Sequence, residues 1–268
     1  MNLNIRWLII FVFTTFVSCK GVNQISKPSY IDFSFKNEIL TVKAKNSLPC
    51  PTFVTIKGFI NDSVVNFKPF ESKVILEFKD SIVDTLGILK KYDPKMKYGT
   101  YPFKQYDTTY NYSLPFEKGK RYRIMQGHFG NFSHNSNFSK YAIDFRMDIG
   151  QPICAMRDGI VIRVKQNSNE GGSDRKYLDK GNYILIYHKD GTFSQYVHLM
   201  YKGAIVRKND SVKKGQRIGY SGNTGFSTAP HLHFGVFKPT LKGFISIPYI
   251  LDSIPSKNYR KGKYAINN

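Results

Sequence analysis

Acidic residues are scarce: 19 Asp and Glu stand against 40 Lys and Arg, a formal charge of +21 over 268 residues. That imbalance favours a polyanionic partner (nucleic acid, anionic lipid or an acidic cell wall) without choosing among them. Helical periodicity is nearly absent, which argues against a helical bundle. Trp occurs once while Phe and Tyr number 21 and 18, and this aromatic and β-branched bias leans towards strands. Long apolar runs are missing as well: the run from Trp7 to Phe13 is too short for a membrane-spanning helix. Cysteine is limited to three residues. Cys50 and Cys154 would have to join two separate modules to pair, so they read as buried thiols. Histidine is rare, six in all, with none between residues 31 and 112. With 41% apolar and 22% charged residues, the chain has the composition of a folded protein.

The opening "MNLNIRWLIIFVFTTFVSCK" carries one positive charge, Arg6, then the short apolar run and small residues, the anatomy of a signal peptide over 1–18. Its end, "FVSC", resembles a bacterial lipobox, with Phe16 where Leu is usual. Cys19 is then the lipidated first residue of the mature chain, and 19–30 a tether. Export removes nucleic acid from the possible partners and places the protein in the bacterial cell envelope, lipid-anchored to a membrane. No feature fixes an oligomeric state.

Residues 31–112 show short alternating runs ("IDFSF", "ILTVKAK", "FVTIKGF", "KVILEF") separated by turn residues, which predicts a small β-sandwich-like module with no catalytic spacing. The segment 90–116, rich in Tyr, Lys and Pro, reads as a linker or a wrapping segment. A second all-β module spans 113–251, with strands at "YAIDFRM", "GIVIRVKQ", "YILIYHK", "SQYVHLM", "QRIGYSG" and "HLHFGVF" and Gly-containing turns between them. Residues 252–268 read as a tail. All six histidines lie in the 113–251 module.

In "TAPHLHFGVF" (228–237), period-two alternation puts His231 and His233 on one face and Leu232 and Phe234 on the other. By itself this fits either two half-exposed histidines or a polar site on a core strand. The same module holds "SHNSNFSKYAIDF" (133–145) and "QYVHLM" (195–200). Two imidazoles and a carboxylate would leave a bound zinc ion with net positive charge, hence a Lewis acid able to acidify a water.

The stretch from "YAIDFRMDIGQPICAMRDGIV" to "GNTGFSTAPHLHFGVF" resembles the lysostaphin-type zinc metallopeptidases over about 126–237. The resemblance implies an antiparallel β fold with an open groove, and cleavage of peptide bonds in bacterial peptidoglycan. It makes His233 and Asp144 zinc ligands, His231 the general base and His198 the partner that steadies the oxyanion. The position four residues before Asp144, where the family usually has its first ligand, holds Lys140. The longer spacing found in some branches makes His134 that ligand, with His128 in "QGHFG" as its competitor. His188 reads as structural, and the loop 167–182 as a groove wall.

These readings converge on a lipid-tethered zinc endopeptidase acting on peptidoglycan peptides. An inactive wall-binding or hydrolase-regulating lipoprotein, and a basic wall-anchoring protein, remain the alternatives; zinc content separates them from the first.

Overall fold

The computed structural model describes residues 29–58, 63–79 and 84–268. The leader, Cys19 and most of the tether lie outside them. The N-terminal module begins with β1 (Ile31–Lys36), β2 (Ile39–Lys45), β3 (Thr52–Ile56), β4 (Ser63–Phe67) and β5 (Ser72–Lys79), followed by helix α1 (Thr85–Tyr92) and β6 (Lys95–Tyr98). Two three-stranded antiparallel sheets, β1–β2–β5 and β4–β3–β6, enclose one core that includes Val42, Ala44, Val54, Ile56, Phe67 and Leu76. In β2, alternation sends Leu40, Val42 and Ala44 inward and their neighbours outward.

Two elements depart from the sequence reading. Helix α1 has only eight residues; it is started by the Asp84 carboxylate, which accepts from Gly87 N at 2.8 Å, and stopped by Asp93 at φ 40°. Residues 95–98, expected within a linker, pair with β3.

The second module contributes β7 (Asn111–Tyr112), β8 (Arg121–Gln126), β9 (Ile143–Phe145), β10 (Pro152–Cys154), β11 (Gly159–Lys165), β12 (Gly171–Gly172) and β13 (Tyr183–Tyr187). There follow β14 (Phe193–Val197), β15 (Leu199–Ala204), β16 (Ser211–Val212), β17 (Arg217–Ser221), β18 (Gly225–Phe226), β19 (Leu232–Thr240) and β20 (Gly243–Ser246). The chain ends with β21 (Ile250–Leu251), β22 (Ile254–Pro255) and β23 (Tyr264–Ile266). The central sheet runs β16–β11–β13–β14–β19–β9–β8–β23, with β20 paired to β19, and its pairs are antiparallel. Within 252–268, Ile254–Pro255 pairs with β21 and Tyr264–Ile266 with β8. Tyr264–Ile266 closes the edge beside β8, and Ile250–Leu251 lies parallel to β7.

The two faces of this sheet explain why "YILIY" is apolar without alternation. Ile184 and Ile186 join Tyr196, Leu232, Phe234 and Val236 in the main core. Leu185, Phe193 and Phe237, on the opposite face, meet Cys50, Leu48 and Tyr98 of the N-terminal module. Tyr98 stacks on Phe244 with ring centroids 5.8 Å apart. A strand covered on both sides needs apolar residues at every position. Cys50 and Cys154 are both buried free thiols, and burial pushes the Cys50 thiol up to about 12.

Candidate active site

The face covered by the N-terminal module at Phe237 carries a polar cluster four residues earlier, at His233. Strand register builds it: His233 of β19 stands directly across from Asp144 of β9, while Leu232 opposite Phe145 and Phe234 opposite Ile143 point into the core. His134 enters from the loop after β8. Its Nε2 lies 3.2 Å from Asp144 Oδ1 and 3.3 Å from His233 Nδ1, and His233 Nδ1 lies 2.8 Å from the same carboxylate oxygen. The structure thus brings His134, Asp144 and His233 together, and leaves His128 outside. The His128 ring packs edge-on against Tyr141, with centroids 5.3 Å apart, and burial lowers its pKa to about 4.

His134 Nδ1 donates to Gly127 O at 2.8 Å, so in the neutral ring Nε2 holds a lone pair. Gln126 Nε2 donates to Asp144 Oδ2 at 3.1 Å and leaves Oδ1 facing the imidazoles. Ligands held about 2.0–2.1 Å from a tetrahedral ion sit about 3.3 Å from one another. The three observed separations are 2.8, 3.2 and 3.3 Å, with His134 and Asp144 buried and His233 half-buried, so the donor set fits a metal ion. Burial works against ionisation of Asp144, but the close contact with His134 and the nearby His231 and His233 hold its carboxyl well below the usual range.

Two further imidazoles flank the cluster with matching wiring. His231 Nδ1 donates to Ala229 O at 2.7 Å, and its Nε2 stands 3.8 Å from Asp144 Oδ1. His198 Nδ1 donates to Thr224 O at 2.6 Å, and its ring centroid is 4.5 Å from that of His231. His198 occupies the left-handed region at φ 67°, a strained backbone that its surroundings hold in place. Burial, then the neighbouring His231 and His233, lower its pKa to about 3. His188 is buried elsewhere, bonded to Asp158 O and Ser194 Oγ.

Sequence reasoning missed the residues that orient these groups. Gln126 also accepts from Phe132 N and donates to Ser133 Oγ, tying the His134 loop to Asp144. Asn182, fully buried, donates to Ser168 O and Met200 O, and its N–H donates to Thr224 Oγ1, which in turn donates to Leu199 O. Asn182 therefore fastens the turn that receives His198. Only the quoted "GNTG" pointed to this region.

Asp144, His198 and His231 open on a cavity of about 940 Å³. Its walls are residues 126–133, 226–228 and the C-terminal segment at Lys257, Arg260 and Lys261. The loop 167–182 does not line it. That loop backs the 222–227 turn instead: β12 pairs with β18, and a Cβ on Gly171 would fall 2.0 Å from Asn223 O, so only glycine permits the approach.

Residues 138–243 match the model for Peptidase family M23. An uncharacterized metalloprotease of Buchnera aphidicola is 37% identical over 131 residues, 46% of this chain and 31% of that protein. The peptidoglycan DD-endopeptidase ShyA of Vibrio cholerae is 36% identical over 117 residues, 42% of this chain and 24% of that protein. Lysostaphin of Staphylococcus simulans is 44% identical over 95 residues, 35% of this chain and 17% of that protein. The chain thus spans a third or less of the length of these curated relatives. The crystallised catalytic domain of lysostaphin from S. simulans aligns at 36% identity over 49% of this chain and 79% of that one, with a TM-score of 0.31. The chain carries a domain of Peptidase family M23, of the lysostaphin type.

Proposed function

We propose that this protein is a zinc-dependent endopeptidase that cleaves peptide bonds of bacterial peptidoglycan, held at an envelope membrane by lipid on Cys19. In this reading 31–112 is a docking module and 113–251 the peptidase. The carrying observation is the convergence of three metal-ligand atoms beside two imidazoles whose Nδ1–H groups are already spent on backbone carbonyls.

His134, Asp144 and His233 would hold the ion. Bound zinc supplies a Lewis acid that polarises the scissile carbonyl and acidifies a water. His231 Nε2, an acceptor in the neutral ring, takes the proton of the attacking water. His198 Nε2 is an acceptor too, because its Nδ1–H is committed to Thr224 O. The role of oxyanion donor therefore falls to His198 only after the proton that His231 takes from the water has passed to it across the 4.5 Å between the ring centroids. Burial makes that imidazolium a strong acid, suited to protonating the departing amine. An inactive wall-binding relative would have no need of five groups wired in this way.

The test uses the full chain. It should hold about one zinc per molecule, release cross-link fragments from purified peptidoglycan identifiable by mass spectrometry, and partition with detergent unless Cys19→Ser is introduced. His231→Ala should keep zinc and lose roughly a hundredfold in turnover. Wild-type turnover in a zinc-loaded His231→Ala protein would remove the base.

A further inference from the structure

The groove continues from His198, His231 and Asp144 towards the C-terminal edge of the sheet, and its charge changes on the way. Five cations line it: Arg123, Arg146, Lys257, Arg260 and Lys261. Its one carboxylate is Asp144, already faced by three imidazoles. Elsewhere basic side chains find acids, as Arg217 does with Glu117 and Lys180 with Glu170. None of these five forms an ion pair among the described residues.

Backbone pairing gathers them. Arg146 N donates to Arg123 O at 2.8 Å, and Gly262 N donates to Ile124 O at 2.9 Å, so the segment from 257 to 262 runs beside β8. Gly127 allows this approach, since a Cβ there would lie 2.3 Å from Tyr259 O. Gln126, which holds Asp144, is three residues from Arg123 on β8, or about 10 Å along the strand. Along β19 the same face is closed: Phe237 is fully buried, stacked on Phe138 and packed against Phe244. A peptide with its scissile carbonyl at the histidines is thus led towards the cations. Four of the five lie outside 138–243, so this end of the groove is built largely by segments beyond the family match.

We propose that this end is an anion subsite that binds carboxylates of the substrate peptide next to the scissile bond, selecting a charged cross-link over a neutral bridge such as oligoglycine. The proposal rests on the peptidase reading for what enters the groove. One exposed ion pair contributes up to about fivefold and is screened by salt. Several unpaired cations in a concave site act together. The preference should therefore be about tenfold at low salt.

The experiment titrates the full chain carrying His231→Ala, which keeps the ligand set, with a cross-linked stem peptide and with the same peptide amidated at its carboxylates. Wild-type protein is assayed on both and on amidated pentaglycine. The free carboxylates should bind about tenfold tighter at low salt, and the margin should narrow at about 0.5 M salt. Arg260→Gln with Lys261→Gln should cut the preference to about threefold, expressed in KM rather than kcat. Equal affinity for the two peptides overturns the subsite, whether or not they are hydrolysed. Tighter binding of a glycerol-phosphate polymer overturns it in favour of a wall-polymer site. Preferential binding with no hydrolysis of any peptide upholds the subsite and removes the peptidase reading.

Discussion

Two polar clusters are buried in the second module, and they balance their charges in opposite ways. Around Asp190, donors match acceptors. Arg157 Nη1 donates to Oδ2 at 2.9 Å, Thr192 donates to Oδ1 from both N and Oγ1, and Arg157 also reaches Tyr112 Oη and lies over the Tyr110 ring. His188 beside them has both ring nitrogens paired. With the His233 proton on Nε2, lone pairs outnumber protons around Asp144: His134 has spent its Nδ1–H on Gly127, and three acceptor atoms converge. The first cluster is complete as protein and pins the 106–112 segment to the β13–β14 hairpin. The second offers three ligand atoms to a cation. Burial alone separates structural from functional histidines poorly; the count of donors against acceptors separates them well.

The sharpest break of this contrast removes a member from each cluster. His233→Ala should abolish zinc retention on dialysis and, with several kcal/mol of transition-state stabilisation lost, lower turnover by about a thousandfold. The variant should unfold at nearly the denaturant midpoint of wild type stripped of zinc. Zinc retained at wild-type stoichiometry in His233→Ala would mean that the lone-pair surplus is not a metal site. Arg157→Met should do the reverse. It strands the Asp190 carboxylate, whose side chain is 13% exposed, and should cost about 3–5 kcal/mol of stability while leaving zinc stoichiometry at its wild-type value. Denaturant titration measures it, and a loss below about 1 kcal/mol would show that Asp190 is solvated rather than held.

This contrast also explains what could be read in advance. The alternation in "HLHF" put His231 and His233 on the face opposite Leu232 and Phe234, because a strand has one periodicity and its apolar residues go inward; Asp144 was pointed to by the family resemblance alone. The family spacing pointed to His134, and the fold delivers its Nε2 to the same point. Gln126 gave no signal, since a lone Gln before a Gly looks the same whether it faces solvent or a buried carboxylate. Asn182 sat in a polar, Gly-rich loop read as a groove wall, and five of its hydrogen bonds join segments 14 to 42 residues away. Strand β23 was hidden for a similar reason. "KYAIN" is short, and it becomes a strand only because β8 offers an unpaired edge. Partners distant in sequence leave no local pattern.

Gln126 supplies the next smaller test. It is the one side-chain donor to Asp144 Oδ2 among the described residues, and it ties down the loop that carries His134. Gln126→Ala should weaken zinc binding by about 10–100-fold, as loss of an orienting partner does, with the ligands themselves intact. Competition with a chelator reads this directly. Gln126→Glu should restore the contacts to Phe132 N and Ser133 while repelling Asp144, so its affinity should not recover. Wild-type affinity in both variants would confine Gln126 to holding the loop.

The smallest effect is a pH slope, and it comes from the complete cluster. Burial lowers the His188 pKa from 6.5 to about 4; the bond to Asp158 O opposes this, Arg157 adds to it, and Asp190 and Asp158 oppose it. The unfolded chain then binds the proton more readily than the native one. Stability is therefore full above pH 6.5 and declines as pH falls from 6.5 towards 4, where the native ring begins to titrate as well. For a shift of this size the loss from this one group is about 1.4 kcal/mol by pH 5.5. His188→Asn keeps a donor for Asp158 O and removes the titration. Its absolute stability should be lower at pH 7, but its decline between pH 7 and 5.5 should be smaller than that of wild type by about 1 kcal/mol. Because the readout is a difference of slopes, a general loss of packing in the variant cannot imitate it. Parallel stability curves for the two proteins would show that His188 titrates as it does in water, and that the donor count around it misjudges how tightly the site is closed.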